Sequence, residues 1–319
     1  MKVGVIGLGA MGKNHARVLS NMSSVSEVAL YDPLGGDMGE LQGKAVNNNL
    51  EAFLDQKFDY CVISSPTSTH RDMALKLAGL SVPTLIEKPL AYSVDEALEI
   101  ADAFETRSLL GAVGHIERYN PAIIALREKL ATGVLGKIFQ ITTRRVGPYS
   151  GRIRDVGVVK DLATHDIDLV LSISGSAYKS IDAQVSFPIG SGHEDSLLAI
   201  GELESGVQYS HVVNWISPTK ERVTSVLGEN GLIVADTLTG KLSLYENGTS
   251  VNPWDESASL QGVSEGAVHE LVVSKVEPLV QEHRVFQSAI MGKTDAEVVS
   301  IKQGLEVLKV AERILSLGQ

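Results

Sequence analysis

The chain is short of cysteine, of net positive charge and of long apolar runs, and each shortage excludes something. Its 319 residues contain one cysteine, Cys61, inside an apolar run, so no disulfide framework can form and a reducing compartment is expected. Lys and Arg number 28 against 39 Asp and Glu, and the net charge of −11 argues against nucleic acid or an anionic membrane surface as partner. No run approaches the ~20 apolar residues of a membrane span. The opening MKVGVIGLGAMG mimics a signal peptide, but its glycines and the early His15 and Arg17 interrupt the apolar core such a segment needs. A cytoplasmic location is therefore expected. Aromatic residues are only 5% of the chain, yet 44% hydrophobic content over this length supports a real core and most naturally two domains.

What is present is ordered in two textures. Over residues 1–120, short apolar runs (Val3–Ile6, Val28–Tyr31, Ala45–Val46, Tyr60–Ser64, Pro83–Ile86, Leu110–Gly114) alternate with segments of helical periodicity, the pattern of parallel βαβ units. Ser93 with Glu96 three residues on reads as a capping box for the helix Val94–Thr106. Beyond Asn120–Pro121, helices at Ala122–Leu130 and Leu162–Ile173 accompany alternating β-type runs from Lys137–Val146 to Lys241–Tyr245, with GENG at 228–231 as a hairpin turn. Two amphipathic helices, around Glu270–Ile290 and Ala296–Leu317, close the chain. The expected fold is an α/β Rossmann domain over 1–120, then an α+β domain over 121–319 with a large, mostly antiparallel open sheet.

GVIGLGAMGKNHARVL carries Gly7, Gly9 and Gly12 directly after a strand and opening a helix, with Asp32 closing the next strand 20 residues beyond Gly12. A dinucleotide pyrophosphate would lie on this loop, Gly7 to Gly12 with Ala10 and Met11, while Asp32 would bond the adenosine ribose. A carboxylate repels a 2′-phosphate, and Pro33–Leu34–Gly35–Gly36 supply no adjacent cation, so NAD is favoured over NADP. Further on, LIEKPLAYSVDEAL ends an apolar strand on Glu87, Lys88 and Pro89. Ligands of doubly wound sheets bind beyond the carboxyl ends of the strands, which puts Lys88 at a ligand edge, although a lone lysine is ordinarily a solvated surface cation. In GVVKDLATHDIDL, Asp161 and His165 stand four apart, a spacing at which side chains on one helix face can meet, with Asp168 on the same side. Such a pair can be a helix-surface contact, part of a metal site lacking an obvious third ligand (GHED at 192–195 reads as a turn), or a catalytic pair. Arg144, Arg145, Arg152 and Arg154 fall within 11 residues, which suits phosphate or carboxylate recognition as well as a solvated strand and loop.

These motifs resemble the glucose–fructose oxidoreductase/inositol dehydrogenase (Gfo/Idh/MocA) family over nearly the whole chain. The Glu87-Lys88-Pro89 triplet is the family's mark. SSPTSTH (Ser64–His70) is similar to its loop along the cofactor, GHIERYNPAI (Gly114–Ile124) to its domain junction, and Asp161-x-x-x-His165 to its acid–histidine segment. The chain departs from the pattern at Lys160, usually apolar, and at Ala163, commonly glycine. The resemblance implies an enzyme moving a hydride between a sugar or cyclitol carbinol and NAD, with its active site between the domains. Lys88, Asp161 and His165 would be catalytic; Ser65, Pro66, Thr67, His70 and Glu87 would join Lys88, the glycine loop and Asp32 in holding the cofactor. Arg118, Tyr119, Asn120, Arg152 and Arg154 would meet the substrate, with no metal required. RRVGPYSGRIRDVGV and GHIERYNPAI resemble the branch that oxidises the 3-hydroxyl of UDP-N-acetylglucosamine, whose diphosphate would account for the arginines. An inositol or plain-sugar dehydrogenase and a non-catalytic dinucleotide-binding regulator of the same family are the alternatives. A homodimer or homotetramer is expected, because the second domain's open sheet carries an outward apolar face, Trp215 included.

Overall fold

The apolar runs of the first 120 residues become parallel strands in the computed structural model, which describes residues 1–35, 40–149, 151, 156–190, 192–248, 265–294 and 296–318. In chain order the elements are β1 (Lys2–Ile6), α1 (Ala10–Ser20), β2 (Glu27–Tyr31), β3 (Glu40–Leu41), β4 (Lys44–Asn47), α2 (Leu50–Leu54), β5 (Tyr60–Ile63), α3 (His70–Gly79), β6 (Thr84–Glu87), α4 (Val94–Thr106) and β7 (Gly111–Gly114). They form a sheet of order β3-β4-β2-β1-β5-β6-β7, parallel except where β3 pairs antiparallel with β4. The six parallel strands follow the doubly wound order, which reverses between β1 and β5 and opens a crevice at their carboxyl ends. β5 and β6 are buried at every position, as helices on both faces require. Ser93 caps α4 by accepting the Glu96 N–H at 3.2 Å, but the Glu96 carboxylate takes the Tyr92 N–H instead of that of Ser93, so only half of the expected box closes.

The chain divides into two compact units: Met1–Tyr119 with Glu277–Glu312, and Asn120–Val276 with Arg313–Gln319. The expected split therefore keeps its first boundary near 120 but misplaces the end of the chain. The helix α7 (Pro278–Ile290), and α8 (Ile301–Leu317) as far as Glu312, bury apolar stripes in the first unit. Phe286 joins the core formed by Val3, Val5, Leu19 and Leu30, and Ile301, Leu305 and Leu308 join the one formed by Ile63, Ile86, Ile100 and Val113. Sequence periodicity identifies an apolar stripe without saying which sheet it covers. The helix expected from Glu270 begins at Pro278, where a proline suits the first helical turn, and 268–271 pairs as a strand.

The second unit contains α5 (Pro121–Ala131), β8 (Ile138–Val146), a π turn (Val159–Ala163), α6 (Thr164–Ser174), β9 (Asp182–Ser186), β10 (Ser196–Glu202), β11 (Gln208–Asn214), β12 (Glu221–Gly228), β13 (Gly231–Asp236), β14 (Lys241–Glu246) and β15 (Val268–Leu271). Its sheet runs β15-β14-β13-β12-β8-β11-β10-β9, antiparallel except between β8 and β11. Gly228 pairs with Gly231 across the expected hairpin turn. Strict alternation buries Ile141, Val213, Val226 and Ile233 on one face and leaves Leu198 and Ile200 on the other, 53% and 59% exposed. Trp215 does not belong to that outward face: it is 6% exposed, just past the end of β11, and its indole N–H donates to Asp195 Oδ1 at 2.6 Å. A buried indole takes a hydrogen-bond partner, which alternation counting does not foresee.

Candidate active site

The glycine loop follows from close packing. Gly7 has φ +86°, and a side chain there would strike the backbone of Ser65 at the end of β5. A Cβ on Gly12 would collide with the Gly7 carbonyl, whereas one on Gly9 would meet nothing within 4 Å. Gly7 and Gly12 are thus fixed by the protein's own packing, while the backbone at Gly9 faces open space. The first turn of α1, where Ala10 and Met11 lie, carries no acidic residue, and Gly9 offers no side-chain cap, so its N–H groups and positive dipole end remain suited to an anion. Asp32, at the carboxyl end of β2, is oriented by two backbone donors: Leu8 N–H to Oδ2 at 2.9 Å and Leu34 N–H to Oδ1 at 3.0 Å. This cradle fits a dinucleotide.

Beside it, the Ser64 hydroxyl donates to the Gly7 carbonyl at 2.9 Å, and the Ser65 and Thr69 hydroxyls meet at 2.6 Å. Pro66 is exposed and Thr67 buried at the start of a short turn. His70 is buried, with Nε2 2.9 Å from the Ser65 carbonyl and Nδ1 3.0 Å from that of Pro89. Its ring thus ties the cofactor-side loop to the turn after Lys88, and any part it takes toward a cofactor runs through those two backbone segments. Burial pushes its pKa down, against the pull of the two carbonyls.

Lys88 follows β6 directly, half-buried at the sheet's carboxyl edge, and the Lys88–Pro89 peptide is cis. Its N–H donates to Glu87 Oε2 at 3.1 Å, and Glu87 Oε1 lies 2.8 Å from His15 Nε2. Burial alone would raise the Glu87 carboxyl, but the bond and charge of His15, followed by the neighbouring Lys88 charge, outweigh it and hold the group below the usual carboxylate range. Glu87 faces inward as a bracket, a role that its place in the triplet does not announce.

In the second unit, Asp161 lies in the π turn and His165 on the first turn of α6. Widened turns of this kind recur at functional sites, and this one alters the simple four-residue register expected for the pair. Glu194 holds the turn: its carbonyl accepts the Val158 N–H at 2.9 Å, its Oε1 accepts the Val159 N–H at 2.9 Å, and its carboxyl lies where a side chain on Gly157 would be. The segment GHED therefore contains a supporting residue that sequence reasoning missed; an acid in a turn carries no signal of what it reaches across the fold. Asp166, next to His165, pairs in the interior with Arg145 Nε at 3.0 Å, and Asp168 is fully buried. Arg144 pairs at the surface with Glu221 at 2.6 Å, so both described arginines of the basic run already have carboxylate partners. Arg152 and Arg154 lie outside the described residues. Arg118 sits in the short turn Ile116–Tyr119, Tyr119 is buried in the first unit's core, and Asn120 caps α5 by accepting the Ala122 N–H at 3.0 Å. Among the described residues, no group of three His, Cys, Asp or Glu is placed to hold a metal ion, and no helix is long and apolar enough to cross a membrane.

Two family models match the chain: an oxidoreductase family with an NAD-binding Rossmann fold over residues 1–115, and the GFO/IDH/MocA C-terminal domain over 123–234. UDP-N-acetylglucosamine 3-dehydrogenase from Acidithiobacillus ferrooxidans is 27% identical over 293 residues, 91% of this chain and 88% of that protein. Its solved structure superposes with a TM-score of 0.85 at 25% identity, covering 99% of this chain and 97% of that one. The NAD(+)-dependent scyllo-inositol 2-dehydrogenase of Bacillus subtilis is 26% identical over 254 residues, 75% of this chain and 74% of its own. A levoglucosan dehydrogenase in complex with NADH and levoglucosan shares the fold, with a TM-score of 0.84 at 17% identity, covering 100% of this chain and 97% of that one. With both family models matched in order along a doubly wound domain and an open-sheet domain, the chain belongs to the Gfo/Idh/MocA family of NAD-binding oxidoreductases.

Proposed function

We propose that this oxidoreductase moves a hydride between a secondary hydroxyl of a sugar or nucleotide sugar and NAD. The observation that carries the reading is the shared edge: the glycine loop after β1, Asp32 after β2 and Lys88 after β6 all stand at the carboxyl ends of one parallel sheet, where such sheets take their ligands. Asp32 favours NAD, because a carboxylate held by two N–H groups stays where a 2′-phosphate would have to sit. Oxidation of a carbinol releases a hydride, which a bound nicotinamide accepts, and a proton, which the protein must take. His165 takes that proton from the hydroxyl, since an imidazole with an ordinary pKa near ~6.5 can both accept and return it. Asp161 orients the ring, and Lys88 donates a hydrogen bond to the oxygen as negative charge builds on it.

UDP-N-acetylglucosamine is the leading substrate, supported by the relative that matches 91% of the chain. The diphosphate would fall to Arg152 and Arg154, because Arg144 and Arg145 are already paired. The inositol dehydrogenases among the relatives support a plain cyclitol as the second reading. A panel of UDP-N-acetylglucosamine, scyllo-inositol and glucose with NAD decides: turnover of the nucleotide sugar alone is expected, turnover of a free cyclitol alone removes the diphosphate, and NAD binding without any turnover favours a regulator. We also infer that a second copy covers the outward face around Leu198 and Ile200; light scattering at 34 kDa, the mass of one chain, would exclude this.

A further inference from the structure

The first unit buries a line of polar groups that none of the roles above uses. Beyond Glu87, His15 Nδ1 lies 2.9 Å from His283 Nε2, and His283 Nδ1 lies 3.1 Å from the Tyr60 hydroxyl. The Gln287 amide donates to the Tyr60 oxygen at 3.1 Å and accepts from the hydroxyl of exposed Ser24 at 2.7 Å. With the Gln287 amide nitrogen facing Tyr60 and its oxygen facing Ser24, one set of proton positions satisfies the line. An amide nitrogen only donates, so the Tyr60 oxygen accepts and its own proton goes to His283 Nδ1. His283 then carries its proton on Nε2 and gives it to His15 Nδ1, and His15 carries its proton on Nε2 and gives it to Glu87. With these proton positions every bond points the same way, from Ser24 inward to the one carboxylate. The reverse order would leave the Tyr60 proton without an acceptor among these groups.

The far end of the line is the Lys88 backbone, because the other oxygen of Glu87 accepts the Lys88 N–H. Its middle joins α1, the helix that opens at the glycine loop, to α7, 268 residues away in sequence. The neighbouring Glu282 is buried with neither carboxyl oxygen hydrogen-bonded, and burial together with the Glu87 charge pushes its pKa up. The two buried acids are thus pushed apart, Glu282 up and Glu87 down.

We propose that His15, His283 and Tyr60 are positioning residues for the hydride-transfer reaction: through Glu87 they hold the turn that presents Lys88, and they couple that turn to the dinucleotide-binding helix. The proposal rests on the role of Lys88 given above. Its geometry is tested without any substrate, by nitrogen NMR of the apo protein labelled with ¹⁵N-histidine. His283, which burial keeps from protonating, should appear as the Nε2–H tautomer; an Nδ1–H tautomer at that position overturns it. Its function is tested with whichever compound of the panel the wild type oxidises. His283→Phe keeps the ring but neither nitrogen and should lower kcat roughly tenfold, as a small misplacement of a reacting group does, with KM for NAD within about twofold. His283→Gln keeps one donor and one acceptor and should recover most of the loss. Tyr60→Phe, which removes one oxygen, should move kcat in the same direction by a smaller factor, and it serves if the first variant fails to fold. Equal turnover in wild type and both Phe variants, or equal losses in His283→Phe and His283→Gln, overturns the positioning role. Lys88→Ala run alongside separates the two readings. If it leaves turnover intact, the lysine assignment fails and the proposal falls with it; if it abolishes turnover while the Phe variants do not lower it, the relay alone fails.

Discussion

In each unit the acid next to a candidate catalytic residue in sequence is buried and paired, and the two are paired by opposite means. Beside Lys88, Glu87 is met by the His15 imidazole at the end of a buried line of hydrogen bonds. Beside His165, Asp166 is met by Arg145, a cation that does not titrate, with both partners within 5% of full burial. The first arrangement places a modest hydrogen-bond energy at each of several links. The second sets an ion pair in the interior, whose desolvation is tolerable only while both partners are present. The difference teaches that the same task can be distributed or concentrated, and that the two should break differently.

The concentrated contact should break hardest. Arg145→Met leaves Asp166 buried without its cation and should lower unfolding free energy by about 3–5 kcal/mol in urea titrations, whereas Arg144→Ala, at the exposed pair with Glu221, should cost at most about 1 kcal/mol. Equal losses would show that the interior pair holds nothing special. Lys88→Ala comes next: turnover should fall by about two orders of magnitude, the loss of an alkoxide donor, with NAD affinity nearly intact in a fluorescence titration. A parallel fall in NAD affinity would instead make the lysine part of the cofactor cradle.

Protons sharpen the comparison further. In the second unit, His211 is bonded by the hydroxyls of Thr143 and Tyr178, and burial lowers its pKa to about 3. The unfolded chain then binds a proton that the folded chain refuses at any pH between there and the ordinary imidazole value. Stability is full above about pH 6.5 and should fall by roughly 1.4 kcal/mol per pH unit below it. Urea midpoints at pH 7 and 5 should diverge more for wild type than for His211→Gln; identical slopes would mean that the folded His211 takes up its proton as readily as the unfolded one. The smallest expected effect is on cofactor choice. Asp32→Ser with Pro33→Arg should shift the NADP-to-NAD ratio of kcat/KM by about tenfold, the scale of one charge-assisted contact. A wild type that already prefers NADP would overturn the reading of Asp32.

Where signals were local, the sequence sufficed. Gly7, Gly9, Gly12 and Asp32 are separated by one turn of chain and one βα crossover, and backbone sterics allow few other residues at the first and third glycines. The boundaries of the six parallel strands came within a residue or two of those expected, because strands buried on both faces read as unbroken apolar runs, whereas the two-residue β3 was not foreseen. The triplet Glu87-Lys88-Pro89 does stand at the end of a strand, β6, although it does not tell which of its two charges faces inward. Composition and alternation likewise determined that a second, open sheet follows, and its hairpin at 228–231 was legible from its turn residues.

What only the tertiary structure decided were the partners. That α7 and α8 return to the first unit, that Glu194 reaches back to the turn holding Asp161, that Trp215 turns inward to Asp195, and that His15 finds His283 are all pairings across tens to hundreds of residues. The physical reason is that periodicity and propensity act within a few turns of chain, whereas a buried polar group is satisfied by whichever complementary group the packed fold places within about 3 Å. The sequence alone determined the type of each element and the motifs at the strand ends; packing determined which acid, imidazole or indole holds each of them still.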